Sequence, residues 1–216
     1  MLIYDPPLEP HLSIVYQDED LIVIDKPSEL LSVRGSVPER YDSIETRLLA
    51  LHPYVGIVHR LDLPTSGLMV IAFNKPTVVH LNRQFQNKTI TKYYQARVYG
   101  QLAEKKGSIY LPLKTDWPNR PRQMVCEETG KPSETHWKVI KQHDTYADIE
   151  LRPVTGRSHQ LRVHMSEIGH PILGDRFYAH EEAFKLAPRL QLHAKKLGFI
   201  HPATEEPMEF TSPVPF

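Results

Sequence analysis

The chain has 216 residues, 40% of them hydrophobic and 24% charged, with 26 Lys and Arg against 26 Asp and Glu. That length fits one large domain or two small ones, and the apolar share is enough for a sizeable core. The single cysteine, Cys126, excludes an internal disulfide and suits a reducing cytoplasm; no apolar run approaches the ~18 residues of a spanning helix, and the opening MLIYDPPLEP lacks the basic flank and apolar core of a signal peptide.

Taken in chain order, residues 12–16 read as a short strand, Asp18-Glu19-Asp20 as a turn, and the β-branched residues 21–25 as a second strand returning hairpin fashion. Lys26-Pro27 ends it. Residues 43–52 carry Ile44, Leu48, Leu49 and Leu51 at helical spacing, with Asp42 or Ser43 as the N-cap. Two apolar runs follow, at 54–58 and 68–73. Pro76 opens a helix at a favoured first-turn position, Val78, Leu81 and Phe85 supply its apolar side, and Asn87-Lys88 closes it. Residues 91–99 alternate, with Tyr94, Ala96 and Val98 on one face and Tyr93, Gln95, Arg97 and Tyr99 on the other. Residues 107–113 form another strand. Residues 114–132 are Pro- and charge-rich and read as a long loop; loops of that length in a compact domain are usually functional. Residues 133–142 and 146–151 pair as strands, a helix spans 157 to about 168 and stops at Gly169, and 189–200 is a late strand. Many short strands with few helices make an α+β fold with a mixed, mainly antiparallel sheet.

The stretch that asks for a chemical reading is His59-Arg60-Leu61-Asp62-Leu63-Pro64-Thr65-Ser66-Gly67. It sets a carboxylate between two apolar strands, where it must meet a cation or face a cleft, because a buried unpaired charge is costly. Pro64 and Gly67 fix a tight loop after it. Taken alone, an Arg60–Asp62 surface pair explains the loop as well as catalysis does.

Read letter for letter, HRLDLPTSG resembles the signature loop of the RluA family of pseudouridine synthases. Three more stretches match that family in order: LIVIDKPSELL at 21–31, KYYQARVYG at 92–100 and VTGRSHQLRVHMSEIGHPILGD at 154–175. The resemblance runs from about Asp18 to the end of the chain. TDWPNRPR at 115–122 and CEETGKP at 126–132 place it nearest the short, dual-specificity branch that acts on large-subunit rRNA and tRNA. Glu29 stands where the family has glycine and Arg34 where it often has proline, departures that bear on the local turn.

The resemblance implies a pseudouridine synthase fold, a bifurcated sheet flanked by helices and loops with a central cleft. It implies one catalytic domain over residues 1–216, without an accessory N-terminal RNA-binding domain. The reaction breaks the bond between ribose and uracil N1, rotates the base and rejoins it through C5, so no cofactor and no metal are implied. The partners implied are stem-loops of rRNA and of the tRNA anticodon arm, bound by a cytoplasmic monomer. Asp62 matches the catalytic aspartate, acting as nucleophile or base. Arg162 matches the active-site arginine, whose planar cation keeps the Asp62 carboxylate ionised; without the motif it reads as an exposed helix arginine. Tyr94 matches the active-site tyrosine, able to stack on the uracil and take part in proton transfer; on the strand pattern alone it is a core tyrosine. Arg60 is the candidate for filling the stack that a flipped uridine leaves. Arg157, Arg120 and Arg122 are candidate phosphate contacts, or else ordinary solvated arginines.

Zero net charge looks wrong for an RNA partner, but the charge is segregated. Residues 60–162 hold 17 Lys and Arg against 9 Asp and Glu, and the flanks carry the opposite excess. A basic middle is compatible with a phosphate-facing surface. Two other classes compete. A non-catalytic RNA-binding protein needs no carboxylate beside phosphates, so the trio Asp62, Tyr94 and Arg162 argues against it. A glycoside hydrolase needs a second acid opposite the first; Asp25, Glu29, Glu167 and Asp175 are available, but nothing places one there. His159 and His164 are off the spacing of a helical zinc pair.

Overall fold

The computed structural model describes residues 4–216. They divide into two compact units, one running to Lys92 and taking back Ala194–Pro213, the other comprising Tyr93–His193 and Val214–Phe216.

The first unit opens with β1 (Ile14–Gln17) and β2 (Leu21–Lys26), antiparallel as their pattern implies. Asp18 shapes the turn between them: its Oδ1 accepts from the amides of Asp20 and Leu21, and its Oδ2 from the hydroxyl of Tyr16 and from His201 Nε2. α1 (Ile44–Leu49) is started by Ser43, whose hydroxyl accepts from the Thr46 amide while the Thr46 hydroxyl accepts from the Ser43 amide. Arg47 on that helix is buried, grips Asp42 through two nitrogens at 2.7 Å and reaches the carbonyls of Pro7 and His11, so it ties the N-terminal segment down. β3 (Gly56–Ile57) and β2 both pair antiparallel with β4 (Ser66–Ala72), every residue of which is buried. α2 (Lys75–Gln86) is capped by Asn74, with Pro76 in its first turn, and buries Leu81.

The second unit is built on β5 (Thr91–Tyr99), β10 (Tyr146–Pro153) and β9 (Thr135–Gln142), joined antiparallel in that order, with β6 (Lys106–Ile109) on the far side of β9. Ala96, Val98, Ile149 and Leu151 fill its core, and Tyr94 packs against them. The strand expected over 107–113 breaks after Ile109. The long loop expected over 114–132 is itself a hairpin, β7 (Leu113–Thr115) and β8 (Gln123–Val125) around a 3-10 turn at Trp117–Asn119. α3 (Gln160–Glu167) begins three residues later than its spacing implies, because His159 takes the left-handed conformation at φ 54°. A short α4 (Glu181–Lys185) follows.

The chain returns to the first unit through β11 (Leu192–Ile200), beside β4, and ends on β12 (Pro207–Thr211), paired antiparallel with β11. Gly67 lies at φ +115°, and a Cβ there would sit 2.4 Å from the carbonyl oxygen of Ala194, so this position demands glycine twice over. Among the described residues no helix is long and apolar enough to cross a membrane.

Candidate active site

Asp62 sits on the loop between β3 and β4, half-buried, next to an exposed Arg60 and a buried Leu61. The loop is held by its main chain. Lys26, at 0% exposure, points its ammonium into the loop and donates to the carbonyls of Leu63 (3.1 Å), Leu30 (2.7 Å) and Pro27 (2.8 Å). The Ser28 hydroxyl donates to Pro64 O at 2.8 Å, and the Glu29 amide to Leu63 O at 2.9 Å. The Ser32 hydroxyl donates to Leu61 O at 2.8 Å and accepts from Leu61 N at 3.1 Å. The Thr65 amide closes a turn on Asp62 O at 3.0 Å. Lys26 at the end of β2 and the PSELLS segment that follows it are therefore a cradle for the aspartate loop.

Burying a lysine is tolerable only when its N–H groups find acceptors, and three carbonyl oxygens supply them here. Lys26→Met keeps the stem and strands those carbonyls, at about 1–3 kcal/mol for a buried group left unpaired. A Lys26→Met protein is expected to unfold at a lower urea midpoint by roughly 2–3 kcal/mol of stability and to turn over more slowly. An unchanged midpoint would remove the clamp from the account.

Glu29 occupies the left-handed region at φ 64°. The turn survives the departure from glycine, with the glutamate bearing a strain of roughly 1–2 kcal/mol. His59 fixes the other side of the loop: its Nε2 accepts from the Val70 amide at 3.0 Å, and its ring lies 4.9 Å from that of Phe85. Desolvation, with the Lys92 ammonium adding to it, pushes the imidazole down to about 3, so it stays neutral and an acceptor.

In the second unit α3 carries Arg162, 2% exposed, whose Nε and Nη2 meet Asp175 Oδ2 and Oδ1, each at 2.7 Å. Asp175 Oδ1 also accepts from the amides of Phe177 (2.9 Å) and Tyr178 (3.3 Å). The guanidinium carbon lies 5.3 Å from the Phe177 ring and 5.1 Å from the Tyr178 ring. The start of the helix is fastened by Gln160, buried, whose Oε1 accepts from Thr155 Oγ1 and the Arg157 amide and whose Nε2 donates to Glu134 O and Thr135 Oγ1. Thr135 passes the chain to His164 Nδ1, and His164 Nε2 reaches Leu111 O at 3.0 Å. Burial lowers the His164 pKa, in keeping with a neutral ring.

The Tyr178 hydroxyl accepts from the Gln123 amide at 2.8 Å and meets His159 Nδ1 at 2.6 Å, and the Arg122 guanidinium lies 5.6 Å from its ring. One tyrosine thus ties the β7–β8 hairpin to the head of α3. Both histidines weighed as metal ligands, His159 and His164, are engaged in these hydrogen bonds. Tyr94 is half-buried opposite Leu151. Arg157 is exposed with its Nε on Pro132 O at 3.3 Å; Arg120 and Arg122 are exposed at the hairpin tip, Arg120 4.4 Å from the Trp117 ring.

Of the residues singled out from sequence, Asp62 and Arg60 lie in the first unit and Tyr94, Arg162, Arg157, Arg120 and Arg122 in the second. Lys26 and Tyr178 escaped that reading, and His159 was weighed only as a metal ligand. Asp175 was weighed only as a hydrolase's second acid. Its commitment to Arg162 and two amides takes it out of that role.

Residues 20–167 match the family model described as RNA pseudouridylate synthase. The chain is 52% identical over 99% of its length, and 98% of the relative's, to the dual-specificity RNA pseudouridine synthase RluA of Salmonella typhimurium. The chain belongs to the RluA family of RNA pseudouridine synthases. It is therefore an isomerase acting on RNA. The same protein of Escherichia coli is 51% identical over 99% of this chain and 98% of its own, and that of Pasteurella multocida 47% over 100% and 99%. Among solved structures, human RNA pseudouridylate synthase domain containing 1 superposes with a TM-score of 0.81 at 30% identity, covering 98% of the synthase and 87% of the human chain. Human RNA pseudouridylate synthase domain containing 4 gives 0.74 at 25%, covering 94% and 88%. The synthase thus has the pseudouridine synthase fold.

Proposed function

We propose that this synthase isomerises uridines in stem-loops of both large-subunit rRNA and the tRNA anticodon arm. The observation that carries the dual range is the 52% identity over nearly the whole chain to a synthase named as dual-specificity. The family model crosses the boundary between the two units, which supports reading them as one catalytic domain. The lone cysteine supports a cytoplasmic setting.

In this reading the target uridine leaves its stack, at a cost of a few kcal/mol, and the exposed Arg60 fills the gap. Asp62 acts as nucleophile or base while the C1′–N1 bond breaks; the freed uracil turns and the C1′–C5 bond forms. C5 gives up its proton and N1 gains one, so the product is an isomer and nothing is consumed. Arg162 supplies a cation that cannot lose its proton. Its seat against Asp175 fixes the plane of that cation before substrate arrives, which supports a preorganised electrostatic role. Tyr94, on the rim of the second unit's core, stacks on the uracil and assists the proton transfer from C5. Arg157, Arg120 and Arg122 meet phosphates.

Tritium release from RNA labelled at uridine C5 tests the dual range. Wild-type synthase is expected to release tritium from tRNA and from large-subunit rRNA offered separately. Release from one alone would keep the reaction and discard the dual range.

A further inference from the structure

We infer that Trp117, at the tip of the β7–β8 hairpin, is the platform on which an unpaired base of the substrate loop stacks. The inference rests on the stem-loop reading above and names the part of the loop that the hairpin reads.

The chain has two tryptophans. Trp137 is partly buried against the second unit's core. Trp117 is 67% exposed. An indole is a large apolar face, and the fold gains little from it at a hairpin tip. The tip is also stiff. Asp116 N donates to Arg122 O, Arg122 N to Asn119 O and Asn119 N to Asp116 O, each at 3.0 Å. Asn119 Nδ2 adds a bond to Asp116 Oδ2 at 2.9 Å. The exposed ring is therefore held out by a locked main chain, with the Arg120 guanidinium stacked 4.4 Å from it. At its base the hairpin is pinned through Gln123 N to the Tyr178 hydroxyl, and that tyrosine also touches His159 and Arg162. The platform thus stands at a fixed distance from the arginine that serves the reaction.

An aromatic face flanked by arginine is the common device for holding single-stranded nucleic acid, because every base has a π-face. Inside a paired stem both faces of a base are covered by its neighbours, so an indole offered this way selects loops over stems and not one base over another. That suits an enzyme that must accept loops from two different RNAs.

The test uses the 216-residue synthase carrying Trp137→Phe, which leaves Trp117 as the sole tryptophan of these residues. An anticodon stem-loop RNA is expected to quench its emission, and a fully paired duplex of the same stem is not. Trp117→Ala in the wild-type chain is expected to raise KM for the stem-loop about tenfold, with the loss falling on KM and not on kcat, and Trp117→Phe to recover most of it. Thermal unfolding of the alanine variant at the wild-type midpoint accompanies this outcome. Stem-loop turnover with no quench, or an unchanged KM in Trp117→Ala, overturns the platform and leaves the synthase reading standing. If only one RNA class proves to be a substrate, the dual range fails while quenching by that class's stem-loop sustains the platform.

Discussion

Asp62→Asn synthase is expected to release no tritium above background from C5-labelled RNA, a loss on the order of 10⁴-fold or more, the scale seen when a reacting group is removed from an enzyme. Asparagine has nearly the same shape but no charge, and it is neither a nucleophile nor a base of useful strength at neutral pH. The course of the loop should be kept. The loop is fixed through the carbonyls of Leu61, Leu63 and Pro64 and the Asp62 carbonyl closes its turn on Thr65, all main-chain contacts that the substitution leaves alone. The thermal midpoint should therefore stay within a few degrees and stem-loop affinity within a few-fold, since phosphate contacts dominate binding. A variant that still turns over at a tenth of the wild-type rate would remove Asp62 from the centre of the reaction.

The second large effect is on stability. Asp175 accepts from Arg162 through both oxygens and from the amides of Phe177 and Tyr178 through one of them. Both partners of the ion pair are buried, at 2% and 0% side-chain exposure. Removing one leaves the other's charge in a low-dielectric surrounding, and broken buried pairs cost about 3–5 kcal/mol. For a chain of this size each kcal/mol moves the midpoint by about 2–4 °C, so Asp175→Ala should unfold roughly 6–20 °C earlier. Asp175→Asn keeps acceptors on one side only and should fall between. Replacing both residues by apolar ones, Arg162→Met with Asp175→Leu, should restore much of the stability while leaving no activity, because such pairs specify geometry more than they stabilise. An Asp175→Ala midpoint within 2 °C of wild type would sink this account.

How far the sequence told these things depends on how local their causes are. β2, β4 and β5 were legible because buried or alternating runs fix strands within a few residues, and α1 because its leucines recur at helical spacing behind Ser43, although the helix closes at Leu49, before the expected residue 52. The β7–β8 hairpin was hidden: its strands are three residues each and carry Lys, Thr and Gln, so no alternation shows. α3 started late for a reason no helical period contains, the side chain of Gln160 reaching back to Thr155 and Arg157 while His159 turns left-handed. β12, opening on Pro207, and the five-residue α4 gave signals too short to separate from loop. The resemblance pointed to Asp62, Tyr94 and Arg162 as single letters. What it did not supply were the partners that set them, Lys26 and Asp175. They lie 36 and 13 residues away in sequence from the residues they hold, Asp62 and Arg162, and only a folded chain brings them in.

The Lys26 clamp has a bearing on how this loop can change. Because Lys26, Ser28, Glu29 and Ser32 grip carbonyl and amide groups, the course of the aspartate loop is set through its main chain. Residue 63 is then open to replacement without moving the loop, since it presents the same carbonyl whatever it carries on Cα, whereas Pro64 also restricts φ. The loop can drift in sequence at that position while its main chain stays in register with the strand that bears the lysine.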